Sequence, residues 1–218
     1  METPTLQGPL VLPASGRAPT SMVILLHGYG SNGDDLIGLV PYWRDALPDT
    51  VFLSPNAPQP CPGAPGGRQW WPLTSFSPQA RAAGVREAAP TLNAYIDGQL
   101  ATYGLTEDRL ALVGFSQGTM VALHVGPRRE RPLAGVIGYS GMLADPDSLA
   151  AELLSKPPVL LVHGDADPTV PVAALQQARA ALDPLGLEVS THMSRGLGHS
   201  IDEAGLRLGG QFLSRVLA

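Results

Sequence analysis

Short apolar runs rich in Val, Ile and Leu recur along the chain: MVILLHG from Met22, TVFLSP from Thr50, RLALVG from Arg109, LAGVIGYS from Leu133, PVLLVHG from Pro158 and LEVSTHM from Leu187. Most are apolar at consecutive positions instead of alternating, which a strand requires when both faces of its sheet are covered. The pattern predicts a mainly parallel sheet. Between these runs lie segments with helical spacing: NGDDLIGLVPYWRDAL, SPQARAAGVREAAPTLNAYIDGQLATYG, SQGTMVALHVG, DPDSLAAELLS, VPVAALQQARAALDPLG and IDEAGLRLGGQFLSRVLA. Strand and helix alternate almost to the C-terminus, the pattern of a doubly wound α/β domain with helices on both faces. Pro41 and Pro90 are expected to start, kink or break their helices.

One segment breaks the alternation. Ser54 to Gln79, SPNAPQPCPGAPGGRQWWPLTSFSPQ, is a long Pro/Gly-rich loop that carries Trp70, Trp71 and Phe76. Loops of this length are uncommon in compact domains, and the aromatic side chains need something to pack on. It reads either as a surface loop pinned by its aromatics or as one wall of a substrate pocket.

With 218 residues, 44% of them hydrophobic, the chain can bury one substantial core, and the expectation is a single domain over residues 1–218. The 25 glycines and 22 prolines fall between apolar segments as punctuation, so they indicate turns and not disorder. A net charge of -5 without long runs of one sign gives no electrostatic footprint for nucleic acid and none for stable membrane association. The start, METPTLQGPLVLPASGR, lacks the basic and apolar regions of a secretory leader, and no later run is long enough to span a bilayer, so a cytoplasmic protein is expected. Cys61 is the only cysteine. It permits no intrachain disulfide, makes a cysteine-based metal site improbable, and reads as an inert residue in the loop.

Chemistry enters at VGFSQG. Ser116 stands between Gly114-Phe115 and Gln117-Gly118, where RLALV gives out and TMVALHV begins. A sharp strand-to-helix turn would hold the serine in a strained conformation and bring its neighbours against strand and helix. Glycines at the flanking positions remove those collisions, and the hydroxyl then projects from the carboxyl edge of the sheet. Free N–H groups at the helix N-terminus can stabilise charge developing on a substrate carbonyl.

A serine hydroxyl needs a general base, and the base an orienting acid, in the chain order Ser, Asp or Glu, His on this type of sheet. Asp165 and Asp167 lie in HGDADPTVP just beyond a strand. Asp167 is taken as the acid, because it lies farther into the loop and precedes the rigid Pro168-Thr169-Val170-Pro171; Asp165 is assigned to capping the turn or the following helix. His124 and His163 sit against apolar runs and read as structural, and His192 lies within a strand. His199, in the loop SRGLGHS before the final helix, is taken as the base. For the oxyanion, one N–H is expected from Gln117 and the second from Tyr29 in MVILLHGYGSNGDD.

With LLHGYGSNGDDL, GFSQG, HGDADPTVP and GLGHSI in this order, the chain resembles the carboxylesterase/phospholipase family of small α/β-hydrolases, which includes bacterial carboxylesterases and acyl-protein thioesterases. The similarity runs from about Met22 to the C-terminus. The resemblance implies the α/β-hydrolase fold, a triad on Ser116, Asp167 and His199, oxyanion donors on Tyr29 and Gln117, and hydrolysis of esters, thioesters or lysophospholipids without metal or cofactor. One departure stands out: the thioesterases carry a Trp-Phe pair where this chain has Trp70-Trp71-Pro72-Leu73, which puts thioesterase specificity in question.

Only about a dozen residues separate GYSGML from KPPVLLVHG, too few for a cap domain. The site is therefore expected to be open and to suit short-chain esters, with Trp71, Leu73 and Met142 as pocket residues. The sequence is thus read as a serine carboxylesterase acting on a small-molecule ester, as a monomer or homodimer. The alternatives are a thioesterase or lysophospholipase with the same triad, and a binding protein that keeps the hydrolase fold without turnover.

Overall fold

The computed structural model describes residues 6–218. Its centre is a seven-stranded sheet built from β1 (Leu10–Val11), β2 (Ser21–Leu26), β3 (Thr50–Leu53), β6 (Leu110–Phe115), β7 (Gly135–Tyr139), β8 (Val159–Gly164) and β9 (Val189–Ser194). The strand order is β1-β3-β2-β6-β7-β8-β9, and every neighbouring pair is parallel except β1 with β3. A separate hairpin, β4 (Gln59–Pro60) with β5 (Arg68–Gln69), forms inside the Pro/Gly-rich loop.

Every residue of β2, β3, β7 and β8 is buried, as is all of β6 but Phe115. That is why five of the six runs lack alternation: side chains on both faces of the sheet enter a core. β9 forms the edge and is mostly half-buried, which explains its mixed polar sequence. Five helices, α2 (Pro78–Tyr103), α3 (Gln117–Val125), α4 (Pro146–Glu152), α5 (Ala173–Leu182) and α6 (Glu203–Val216), follow the short α1 (Gly33–Leu36). One core face takes Leu92 and Ile96 of α2, Val121 of α3, Leu149 of α4 and Leu175 of α5; the other takes Leu36, Val40 and Trp43 together with Phe212 and Leu213 of α6. The α/β-hydrolase architecture expected from the sequence is therefore the one observed, and between β7 and β8 the chain holds only α4 and no cap domain.

Local departures have physical causes. α1 ends after one turn and the chain continues as a 3-10 segment, Ile37–Tyr42, that contains Pro41. α2 in contrast runs unbroken through Pro90. An internal proline costs a helix about 3 kcal/mol, but Val85, Ala88, Leu92, Ile96 and Leu100 are buried on both sides of it and hold the helix to the sheet. The paired glycines of α6 make room for Trp43: a Cβ at Gly209 would stand 2.1 Å from the Tyr139 hydroxyl and 3.2 Å from the Trp43 ring. Trp43 Nε1 in turn donates to the Leu206 carbonyl at 2.9 Å. No helix among the described residues is long and apolar enough to cross a membrane.

Candidate active site

The loops that leave β2, β6, β8 and β9 gather at the carboxyl edge of the sheet, where open α/β sheets place their ligand sites. Ser116 sits there between β6 and α3 with φ 54 and ψ -114. A non-glycine residue in that region carries roughly 1–3 kcal/mol of strain, and the neighbours hold it in place. Its N–H donates to the Tyr139 carbonyl at 2.9 Å, and its carbonyl accepts from Met120 at 3.2 Å. A Cβ at Gly114 would lie 2.4 Å from the Thr119 nitrogen, and one at Gly118 only 1.9 Å from the Leu26 carbonyl oxygen. Gly114 is thus required by the start of α3 across the turn, and Gly118 by the backbone at the end of the neighbouring β2.

Asp167 lies in the loop after β8, its carboxylate fully buried. Oδ1 accepts from the N–H groups of Thr169 at 2.8 Å and Val170 at 2.9 Å. Oδ2 contacts Nδ1 of His199 at 2.8 Å. Burial pushes this carboxyl up, but the hydrogen bonds from His199, Val170 and Thr169 together outweigh it and hold it below its ordinary range. An ionised Asp167 accepts only, so Nδ1 of His199 carries the proton and Nε2 is left with its lone pair. The His199 ring packs against Phe115, the residue before Ser116, with centroids 4.9 Å apart. No hydrogen bond joins Ser116 Oγ to His199 among the described residues; such contacts are often long in free enzymes and tighten around substrate.

Asp165 takes a part that differs from the sequence reading, and Asp167 and His163 each make contacts beyond it. Asp165 caps neither the turn nor α5: its Oδ1 accepts from the Gly196 N–H at 2.6 Å and ties the β8 loop to the loop that carries His199. The turn is capped by Asp167 itself. His163 is buried as expected and its Nε2 contacts the Val170 carbonyl at 2.9 Å, but the same nitrogen also lies 3.3 Å from Oδ2 of Asp167. Only the folded loop brings it to the acid, since the i,i+4 spacing across a strand end signals no such contact.

The turn after β2 lies directly against the serine: a Cβ at Gly28 would stand 3.2 Å from the Ser116 Cβ. Among the described residues, neither the Tyr29 N–H nor the Gln117 N–H donates to a protein acceptor. Gln117 opens α3, where the first N–H groups have no helical partner. His27, fully buried, holds the turn to the next loop. Its Nε2 accepts from Ala57 at 3.0 Å, which leaves the proton on Nδ1 for the Gly28 carbonyl at 2.7 Å. Burial pushes its pKa down and keeps it neutral.

The side chain of Gln117 has a structural task that the sequence did not disclose. Its amide accepts from the Trp70 N–H and donates to the Trp71 carbonyl, both at 2.9 Å, while Trp70 Nε1 donates to the His27 carbonyl at 3.0 Å. The Ser54–Gln79 loop is thereby fastened to both the serine turn and the glycine turn. Trp71 does not line the cavity as expected. It is buried, with its indole against Gly84 of α2, where an added Cβ would meet it at 2.2 Å. Leu73 and Met142 do line a cavity of about 220 Å³ that opens on Ser116, with Tyr29, Phe76 and Met120 beside them. A second cleft of about 230 Å³ is bordered by Phe115, His199, Ile201 and Leu39. The loop is therefore pinned by Trp70 and Trp71, and through Leu73 and Phe76 it lines the cavity at Ser116.

A family model described as phospholipase/carboxylesterase matches residues 9–217. The chain is 31% identical to acyl-protein thioesterase 1 of Schizosaccharomyces pombe over 193 residues, 84% of this chain and 85% of that protein. It is 26% identical to the esterase YpfH of Escherichia coli, covering 90% of this chain and 83% of the other. Among solved structures, that of esterase PE8 superimposes with a TM-score of 0.94 at 46% identity, over 98% of this chain and all 100% of its counterpart.

Proposed function

Since the chain belongs to the phospholipase/carboxylesterase family and is a carboxylic ester hydrolase, we propose that Ser116, His199 and Asp167 form its catalytic triad and that short-chain acyl esters are its substrates. The observation that supports this most is the 2.8 Å contact from a fully buried Asp167 carboxylate to His199 beside the strained Ser116. Nε2 of His199 takes the proton from Ser116 Oγ as the oxygen attacks the ester carbonyl. The negative charge that develops on the carbonyl oxygen is met by the free N–H groups of Tyr29 and Gln117, each worth about 2.7–4 kcal/mol in systems where a donor was removed. His199 then passes its proton to the departing alcohol, and water, activated by the same imidazole, releases the acid from the Ser116 acyl-enzyme.

The two cavities divide the substrate between them. The leaving alcohol must pass the group that protonates it, so it exits along the cleft beside His199, and the acyl group occupies the cavity that Ser116 itself lines. A volume of about 220 Å³, at roughly 30 Å³ per water-sized group, admits an acyl part of about seven heavy atoms. The lack of a cap leaves both ends reachable from solvent, so the same site accommodates a small thioester, the chemistry named for the Schizosaccharomyces pombe relative. Within this reading residues 1–218 act as one domain.

Hydrolysis of p-nitrophenyl esters from acetate to palmitate, with wild type beside Ser116→Ala and an acyl-thioester run in parallel, tests the proposal. Activity that peaks at butyrate or shorter and disappears in the variant supports it. A peak at long chains, or faster thioester cleavage, assigns the thioesterase or lysophospholipase activity to this triad instead.

A further inference from the structure

The acyl cavity is mostly apolar, with the polar residues Tyr29, Ser116, Gln117 and Thr169 in its wall and one charged side chain. Arg81, in the second turn of α2, stands in its wall beside Leu73, Phe76, Met120 and Met142. Of its five N–H donors, one meets a protein acceptor, the carbonyl of Phe76. Among the described residues no carboxylate lies within salt-bridge distance of it, whereas Arg86, farther along the same helix, pairs with Asp145 at 2.8 Å and with Glu152 at 2.7 Å. The other charge near the serine, Asp167, is fully buried behind His199 and already satisfied there. Among the described residues that line the cavity, Arg81 is thus the single permanent charge, and it is half-exposed, so water reaches its free donors.

An uncharged acyl chain that reached Arg81 would displace that water and offer the guanidinium nothing in return, which penalises binding. A carboxylate would replace the water with a charge-assisted, bidentate contact. We propose that Arg81 makes this site selective for esters whose acyl part ends in a carboxylate, the monoesters of short dicarboxylic acids. This inference rests on the triad and on the acyl assignment of the cavity given above. The size agrees: a succinyl group has about seven heavy atoms, the number that the cavity admits by the volume estimate above. In the reaction Ser116 Oγ bonds to the ester carbonyl carbon, the bond to the alkyl oxygen breaks, and that oxygen leaves with the proton from His199. Water then cleaves the succinyl-serine, so that one water and one monoester yield one dicarboxylate and one alcohol.

The test compares kcat/KM for monoethyl succinate and monoethyl glutarate with ethyl butyrate and ethyl valerate, in wild type, Arg81→Gln and Arg81→Lys, followed by proton release. Butyryloxyacetate, with its carboxylate on the alcohol side, serves as the control for anion position. The expected result is a preference of about tenfold or more for the monoesters over their uncharged counterparts. That ratio collapses toward one in Arg81→Gln, survives in part in Arg81→Lys, and falls in wild type as salt is raised. An equal ratio in wild type and Arg81→Gln, or a preference seen with butyryloxyacetate alone, overturns the proposal. Failure of the underlying reading looks different: ethyl butyrate would then be cleaved equally by wild type and Ser116→Ala.

Discussion

Nε2 of His163 stands 3.3 Å from Oδ2 of Asp167, the same oxygen that Nδ1 of His199 approaches to 2.8 Å. One buried carboxylate oxygen therefore faces two imidazoles, and His163 also reaches the carbonyl of Val170, a residue in the wall of the cavity that Ser116 lines. A single side chain thus touches both the Asp167 carboxylate and that wall. Replacing His163 with Leu removes a polar hydrogen from beside the carboxylate and leaves the Val170 carbonyl without it. Interactions with a charged group are worth about 1.5–3 kcal/mol, so kcat/KM for p-nitrophenyl butyrate is expected to fall tenfold or more. His163→Gln, which keeps a donor, should recover most of that loss. If the Leu and Gln variants, both folded by circular dichroism, lose activity equally, the contact has no part in positioning Asp167.

The elbow glycines and a surface glycine give opposite expectations. At Gly118 an added Cβ would lie 1.9 Å from the Leu26 carbonyl oxygen, whereas at exposed Gly98, within α2, it would meet nothing within 4 Å. Gly118→Ala is expected to lose activity and lower the melting temperature. Gly98→Ala should leave hydrolysis unchanged and stabilise by about 0.5–1 kcal/mol through helix propensity, a rise of a few degrees that calorimetry can read. A Gly118→Ala enzyme with wild-type rates would mean that the turn relaxes more easily than its geometry indicates.

Gln117→Ala tests the fastening of the aromatic loop. Loss of the amide strands the Trp70 N–H and the Trp71 carbonyl, both buried. Each unpaired group costs about 1–3 kcal/mol, and the backbone N–H of residue 117 remains. Lower thermal stability with a larger KM is the expected result, because Leu73 and Phe76, which line the cavity at Ser116, lie two and five residues beyond the loosened Trp71. Wild-type stability in this variant would show that Trp70 and Trp71 hold the loop unaided.

Much of this arrangement was legible in the sequence because it depends on local rules. Continuous apolar runs identified the covered parallel strands, and the glycines around Ser116 identified the turn. The order of Ser116, Asp167 and His199 found the residues that the fold brings to one edge. What stayed hidden depends on distant partners. The two-residue β1 and the β4–β5 hairpin have no periodicity to read. Pro90 signalled a break that buried residues before and after it along α2 override. Trp71 looked like a pocket residue because aromatics in a long loop suit a binding wall, but the small Gly84 offered it a place in the core. Arg81 and the second contact of Asp167 are visible only once the loops converge.

Acid should destabilise the fold in two successive windows that overlap near pH 4. His124 is buried, and burial followed by the charge of Arg128 pushes its pKa down from 6.5 to about 4. The unfolded chain then binds this proton before the folded one, so stability is full above pH 6.5 and is lost as pH falls toward 4. The shift corresponds to about 3 kcal/mol at roughly 1.4 kcal/mol per unit. Glu152, held down to about 2 by its bonds with Arg128 and Arg86, keeps its contribution above pH 4.5 and loses it from there toward 2. Urea midpoints across pH 3–8 should fall in both windows for wild type and flatten between 6.5 and 4 for His124→Leu. An unchanged slope in that variant would place the acid sensitivity elsewhere.

The central claim, that Ser116 is the nucleophile, is tested most directly by covalent trapping. Wild-type protein treated with an alkyl fluorophosphonate should gain one adduct by intact mass, located by peptide mapping on the peptide that holds Gly114-Phe115-Ser116-Gln117-Gly118. The adduct should form in step with the loss of butyrate hydrolysis, and Ser116→Ala should show neither labelling nor turnover above about one part in 10⁴ to 10⁶ of wild type. An adduct on another residue, or full hydrolysis by Ser116→Ala, would contradict the mechanism.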